Sequence, residues 1–138
     1  MVAGFILFAV GVFVFKSYEY FFKTIPDLYA QEWVAGMVIR HMDLNDGSWP
    51  RNWDELSKDF EIATVTAGRP WTFEELRSRV NVDFSADPNE LAKTALENGC
   101  APFRVVALRS GNTHHWENGE PNLRIWSYLQ QRADSSEK

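Results

Sequence analysis

Val2-Ala-Gly-Phe-Ile-Leu-Phe-Ala-Val-Gly-Val-Phe-Val-Phe15 contains no charge, no proline and no polar side chain, and the remaining chain reads as something hung from it. Alone, the run is short of the ~20 residues with which a helix covers the ~30 Å hydrocarbon core of a bilayer. The next residues extend it. Lys16 can lay its alkyl stem along a helix and place its ammonium among lipid headgroups. Tyr18, Tyr20, Phe21 and Phe22, closed by Lys23, are the residue types that favour a membrane interface. The expectation is a retained transmembrane anchor over residues 1–22, a single-pass membrane location and membrane lipid as a partner. A cleaved secretory signal is disfavoured, because no basic region precedes the run and Lys16-Ser-Tyr-Glu-Tyr-Phe-Phe22 offers no small-residue cleavage site. A buried core helix is disfavoured because a small domain has little interior in which to hide a helix apolar on every side.

Working outward, composition bounds the rest. The chain has 138 residues, which beyond the anchor leaves one small domain, expected over residues 23–131 with a polar, disordered tail at 132–138. The formal net charge is −5 and the basic residues are scattered, so the electrostatic footprint of a nucleic-acid binder is absent. The one cysteine, Cys100, cannot form an internal disulfide, which fits a reducing or an oxidising compartment. Lys16 and Lys23 bias the globular part toward the cytoplasm and Glu19 weakens that bias, leaving the side of the membrane open.

Thr24-Ile-Pro-Asp27 has the form of a helix start. From there to Leu44, apolar residues recur at three- and four-residue spacing. Trp33, Val34, Met37, Val38 and His41 form one stripe, which serves either as domain core or as an assembly surface. A histidine on such a stripe reads as a core-edge residue bonded to a backbone carbonyl. Asn45-Asp-Gly47 then ends the helix.

Pro50-x-x-Trp53-Asp-Glu55-Leu56, with Phe60 and Ile62 beyond it, is echoed by Pro70-x-x-Phe73-Glu-Glu75-Leu76. Each copy carries a capping residue, Asn52 or Thr72, three positions before a Glu. Two short helices are expected from this shared local grammar, about Trp53 to Phe60 and Phe73 to Arg79. Trp49, Trp53 and Trp71 form an aromatic wall of the core.

Val80 to Phe84 alternates as a strand, and Asp87-Pro-Asn-Glu90 opens a helix running through Leu96 to a stop at Asn98-Gly99. Phe103 to Arg109 is a second strand, giving a βαβ unit with parallel neighbours, and Thr113 to Glu117 folds back as a third, antiparallel strand. After Pro121 the pattern suits a strand or a helix, and helix is chosen. The expected class is thus α+β: a transmembrane helix followed by several helices on a three-stranded mixed sheet.

Candidate chemistry is sparse. Asn112-Thr-His114-His115-Trp-Glu117-Asn-Gly-Glu120 is the one polar cluster, but adjacent histidines on a strand point to opposite faces and cannot easily grip one ion. His114, His115 and Glu117 are therefore weak metal candidates, and no cofactor or catalytic set is expected. Cys100 follows a helix C-terminus, whose partial negative charge disfavours a reactive thiolate.

The apolar N-terminal helix, a proline near its end, an amphipathic continuation and Leu44-Asn-Asp-Gly-Ser-Trp-Pro50 followed by Trp53-Asp-Glu-Leu56 together resemble the opening half of type II secretion pseudopilins and their type IV pilin relatives. The resemblance covers residues 1–56, and departs from the family in placing Glu19 beyond the apolar run rather than early in it. It implies a protein whose helices are assembly surfaces and whose small domain carries no active site. The resulting expectation is a membrane-anchored, non-enzymatic accessory or structural subunit with other membrane-protein subunits as partners. The alternative is a tethered enzyme or metal-binding domain using the His114–Glu120 loop.

Overall fold

The computed structural model describes residues 2–60, 71–117 and 119–136. Ile62, Pro70, Asn118 and residues 137–138, to which the sequence pattern assigns places, lie outside them.

Helix α1 (Val2–Glu19) passes through one π-helical turn (Tyr20–Thr24) into α2 (Ile25–Leu44) without a break. Thr24 is itself helical and its hydroxyl caps nothing, so the helix start expected there is an internal joint. The physical reason is Pro26, which has no N–H to donate to the preceding turn. The ladder widens just upstream, where the Ile25 amide donates to the Tyr20 carbonyl, five residues back.

The expected single-pass span is overturned. Among the described residues no helix is long and apolar enough to cross a membrane. Helix α1 has 18 residues, but its uninterrupted apolar part, Val2–Phe15, rises only about 21 Å before Lys16, Ser17 and Glu19 turn it polar.

Helix α2 is the axis of the body. It touches α3 (Trp53–Ser57), α4 (Phe73–Arg79), β1 (Val80–Val82), β2 (Val106–Leu108) and α6 (Pro121–Ser136). Val34, Met37 and Val38 are wholly buried there, with Trp33 packed at the edge. The stripe of apolar residues at helical spacing faces inward because these neighbours surround it.

The short helices are set by their caps. Asn52 Oδ1 accepts from the Glu55 amide at 3.0 Å. At α4 the Glu75 amide donates to Thr72 Oγ1 (3.2 Å) while the Thr72 amide donates to Glu75 Oε2 (2.7 Å), a reciprocal box that satisfies amides lacking helical partners. Asp87 caps α5 (Pro88–Ala92) through the Asn89 amide at 2.8 Å. Trp53 packs edge-on against Phe73 and Phe84, with ring centroids 5.8 and 5.6 Å apart.

The sheet differs from the three-stranded mixed sheet expected. Strands β1 and β2 form a two-stranded antiparallel pair, with Val80 opposite Leu108 and Val82 opposite Val106. A parallel return needs a helical crossover long enough to carry the chain back along the sheet. Helix α5 ends at Ala92 instead, and Asn98 and Gly99 (φ +51° and +78°) turn the chain through a small bridge between Glu97 and Cys100. The third strand, expected at Thr113–Glu117, is replaced by a side chain. Buried Asn122 accepts the Val106 amide on Oδ1 (2.9 Å) and donates from Nδ2 to the Val106 carbonyl (3.0 Å), filling the outer edge of β2 as a neighbouring strand would.

The last element is helical. Glu120 accepts the Leu123 amide at the start of α6, Ile125 and Leu129 enter the core, and the helix continues to Ser136 through Arg132–Ser135, which the sequence pattern gave to the tail. Arg132 Nη2 donates to Asp46 Oδ1 at 2.8 Å and ties α6 to the end of α2. That end turns at Asp46 and Gly47, both at positive φ, and the Gly47 amide reaches back to the Met42 carbonyl at 2.7 Å. A Cβ on Gly47 would lie 2.6 Å from Arg132 Nε. Gly47→Ala is expected to cost about 1–2 kcal/mol, mostly from the left-handed backbone since the guanidinium can swing aside, and thermal melts of the full chain measure it.

Candidate functional site

Among the described residues, three places gather the groups that could carry chemistry. The first is α1 with the π turn. Phe8, Phe13 and Phe15 are exposed by 71, 73 and 61%, and Val10, Val12 and Val14 between them are exposed as well. Since these residues point to every side of a helix, α1 is not an amphipathic element awaiting one groove but a rod apolar all round. At its base Tyr18 stacks on Phe22 (4.6 Å between centroids), Tyr20 meets Phe21 edge-on, and Lys23 Nζ lies 3.3 Å from Glu19 Oε1. Lys16, Tyr18, Tyr20, Phe21, Phe22 and Lys23, singled out from sequence as interfacial, all stand exposed here.

The second is the loop at 112–120. It borders a cleft of about 260 Å³ that brings His115 and Glu120 together with Gln31, Cys100, Arg104 and Asn122. Most of the polar groups there serve the fold. Gln31 donates its amide to the His114 carbonyl, Glu120 caps α6 and receives a bond from Asn122 Nδ2 at 2.9 Å, and His115 Nδ1 lies 2.9 Å from the Trp116 carbonyl. Trp116 also meets Tyr29 of α2 at 5.4 Å, which pins the loop. His114, His115 and Glu117 are exposed. Among the described residues no group of three or more His, Cys, Asp or Glu side chains is placed to hold a metal ion.

The third was not anticipated as a cluster. His41, 8% exposed near the end of α2, lies between two carboxylates of the α3 segment, Nε2 3.7 Å from Glu55 Oε2 and Nδ1 3.8 Å from Asp59 Oδ2. Its ring thus faces acids where the sequence pattern suggested a backbone carbonyl. Asp59 is buried, and Arg40 Nε stands 3.5 Å from its Oδ1. Glu55 is held by Arg51: the backbone amide donates to Oε2 at 2.8 Å and the guanidinium Nε to Oε1 at 2.8 Å. The amide bond first, then the guanidinium bond, keep the Glu55 carboxyl below the ordinary glutamate range, with smaller contributions in the same direction from the charges of Arg51 and His41. An open depression of about 730 Å³ lies alongside, with Ser48, Arg51 and Lys58 on its walls. The one signal for this cluster in the sequence was His41 on an apolar stripe; its partners come from another helix, so spacing along α2 could not name them.

Neither a protein-family model nor a curated protein nor a solved structure matches the chain.

Proposed function

We propose that this chain is a non-enzymatic accessory subunit of a lipid-associated assembly, attached to the lipid by partial insertion of α1. The exposed, all-round apolar surface of α1 carries the reading. Soluble monomers rarely expose large contiguous apolar patches, and each square ångström withdrawn from water contributes about 25 cal/mol. The tyrosine, phenylalanine and lysine residues at the base of the rod suit the boundary where acyl chains meet headgroups. Insertion stops where Lys16 and Glu19 begin, at a depth set by the apolar run.

The non-enzymatic part of the reading is supported by the cleft at the 112–120 loop, where the carboxylate of Glu120 and the amides of Gln31 and Asn122 are engaged in holding helix, loop and strand together. The likeness of residues 1–56 to pseudopilins supports the assembly part, with α1 as the attachment element.

Flotation with phosphatidylcholine vesicles tests the proposal on the full chain. The parent is expected to float with the vesicles. Replacing Phe8, Phe13 and Phe15 together by Gln is expected to weaken vesicle binding at least tenfold, since each phenylalanine contributes about 1.5–3 kcal/mol on burial. All three are exposed, so the folded body is left intact. A parent that stays at the bottom of the gradient, or a triple variant that floats equally well, overturns the reading.

A further inference from the structure

We propose that the end of the body from which α1 emerges is a docking face for anionic lipid headgroups, with Arg77 and Arg109 as its contacts. The inference rests on the attachment of α1 to lipid proposed above and names the class of lipid it favours. Helix α4 ends at Arg79, Val80 opens β1 directly after it, and β2 runs antiparallel to β1 and ends at Leu108, just before Arg109. The Arg109 amide donates to the Arg79 carbonyl at 2.8 Å, and the Arg109 Nε donates to the Arg77 and Val80 carbonyls at 3.0 and 3.2 Å. Arginines from two distant segments are thereby gathered at one corner.

Arg79 fixes that corner on the helical rod. Its Nη1 lies 2.7 Å from the Oδ1 of Asp27, in the first turn of α2, and its guanidinium stands 5.6 Å from the centre of the Trp71 ring. Asp27 follows Lys23 by about 6 Å of helix rise, whereas at physiological salt a charge is felt over about 8 Å. Headgroups level with the aromatic base of α1 are therefore within electrostatic reach of the corner. Some of its charge is already matched: Asp27 pairs with Arg79, and Glu19 pairs with Lys23 at 3.3 Å. Glu74 and Glu75 belong to the first turn of α4, at the other end of that helix. Arg77, Arg109 and Lys16 are exposed and, among the described residues, have no carboxylate partner.

The chain as a whole carries a formal charge of −5, which spread evenly would repel an anionic surface. The charge is instead divided along α2. Asp43, in its last turn, lies about 24 Å of helix rise beyond Asp27, roughly three screening lengths away, and Asp46 follows it. The field that meets the bilayer is thus that of the arginine end. Because α1 runs into α2 without a break, a rod that inserts presents this end of the body to the headgroups.

Cosedimentation of the full chain with vesicles of phosphatidylcholine alone, and with about 30% phosphatidylserine added, reads the preference. An unmatched basic residue near an anionic surface strengthens binding about fivefold, so the parent is expected to bind the mixed vesicles about tenfold tighter or more, a gain that about 1 M salt abolishes. The double variant Arg77→Gln, Arg109→Gln is expected to lower that gain about fivefold or more, with binding to phosphatidylcholine unchanged, and Arg77→Lys, Arg109→Lys is expected to keep it. A parent that binds both vesicles equally, or a double glutamine variant that keeps the full gain, overturns the inference and leaves the attachment of α1 standing. A parent that binds neither vesicle overturns both. Release of the parent by millimolar inorganic phosphate at constant ionic strength assigns the arginines to a soluble anion and overturns the lipid. Should the double glutamine variant lose its far-ultraviolet circular dichroism, because Arg109 no longer ties the two carbonyls, Arg77→Glu decides. Arg77 is exposed, so the fold is kept; a reduced gain is expected, and an unchanged one overturns the proposal.

Discussion

Met37→Ala is expected to remove about 2–5 kcal/mol from the stability of the folded body, a large share of the ~5–15 kcal/mol typical of a domain. Met37 is wholly buried in the middle of α2, the helix that α3, α4, both strands and α6 pack around. Cutting its side chain to a methyl removes the transfer free energy of three heavy atoms and leaves a cavity that rigid neighbours close only in part. The matched control is Leu44→Ala on the same helix. Leu44 is 63% exposed, so its loss is expected to change stability by no more than about 0.5 kcal/mol. Urea titrations followed by tryptophan fluorescence separate the two, and an unchanged midpoint for Met37→Ala sinks the assignment of α2 as the core helix.

Asn122→Ala is expected to cost about 2–5 kcal/mol by a different route. The side chain is 2% exposed and holds both the amide and the carbonyl of Val106, so its loss leaves two buried backbone groups without partners, each costing about 1–3 kcal/mol. Asn122→Asp is the sharper variant. It keeps an acceptor for the Val106 amide but turns an oxygen toward the Val106 carbonyl and toward Glu120, formerly bonded to the amide nitrogen. Burial and the neighbouring acid disfavour the new charge, raising the folded-state pKa of the new carboxyl above its unfolded value. The extra cost of this variant is therefore largest at neutral pH and shrinks as pH falls and the carboxyl takes up a proton. Asn81→Ala, an exposed position on β1, is expected to change little. Denaturant midpoints at pH 5 and 7 check the whole set.

What could be read in the sequence was what local chemistry decides. The caps at Asn52, Thr72 and Asp87 were legible because a capping side chain and its amide sit within three residues of each other. The buried face of α2 was legible because its period is that of a helix. The sheet was misread because its strands are three residues each and pair across a long excursion, and because the outer edge of β2 is completed by an asparagine amide that no alternation pattern encodes. Thr24 was misread as a start because Pro26 favours an N-terminus as well as a joint, and which it serves depends on whether the preceding turn is helical. Membrane crossing was overcounted by adding the polar-flanked residues after Phe15 to an apolar run too short by itself. At the candidate sites the apolar run from Val2 to Phe15 was legible in the sequence, but it was read as a membrane span, which the structure overturns. The environment of His41 was not legible, since Glu55 and Asp59 meet it only when α3 packs back on α2.

The π turn between α1 and α2 has a mechanical consequence. A glycine- or serine-rich linker at this point would let the body swivel relative to α1, and α1 could then transmit only tension. Here the helical path continues through Tyr20–Thr24, with the Ile25 amide bonded back to Tyr20, and the far end of the same rod is the axle on which the body is assembled. The arm and the core thus act as a single lever. Whatever fixes α1 also fixes the heading of the body, and a bending load on the body is felt first at the widened turn beside Pro26.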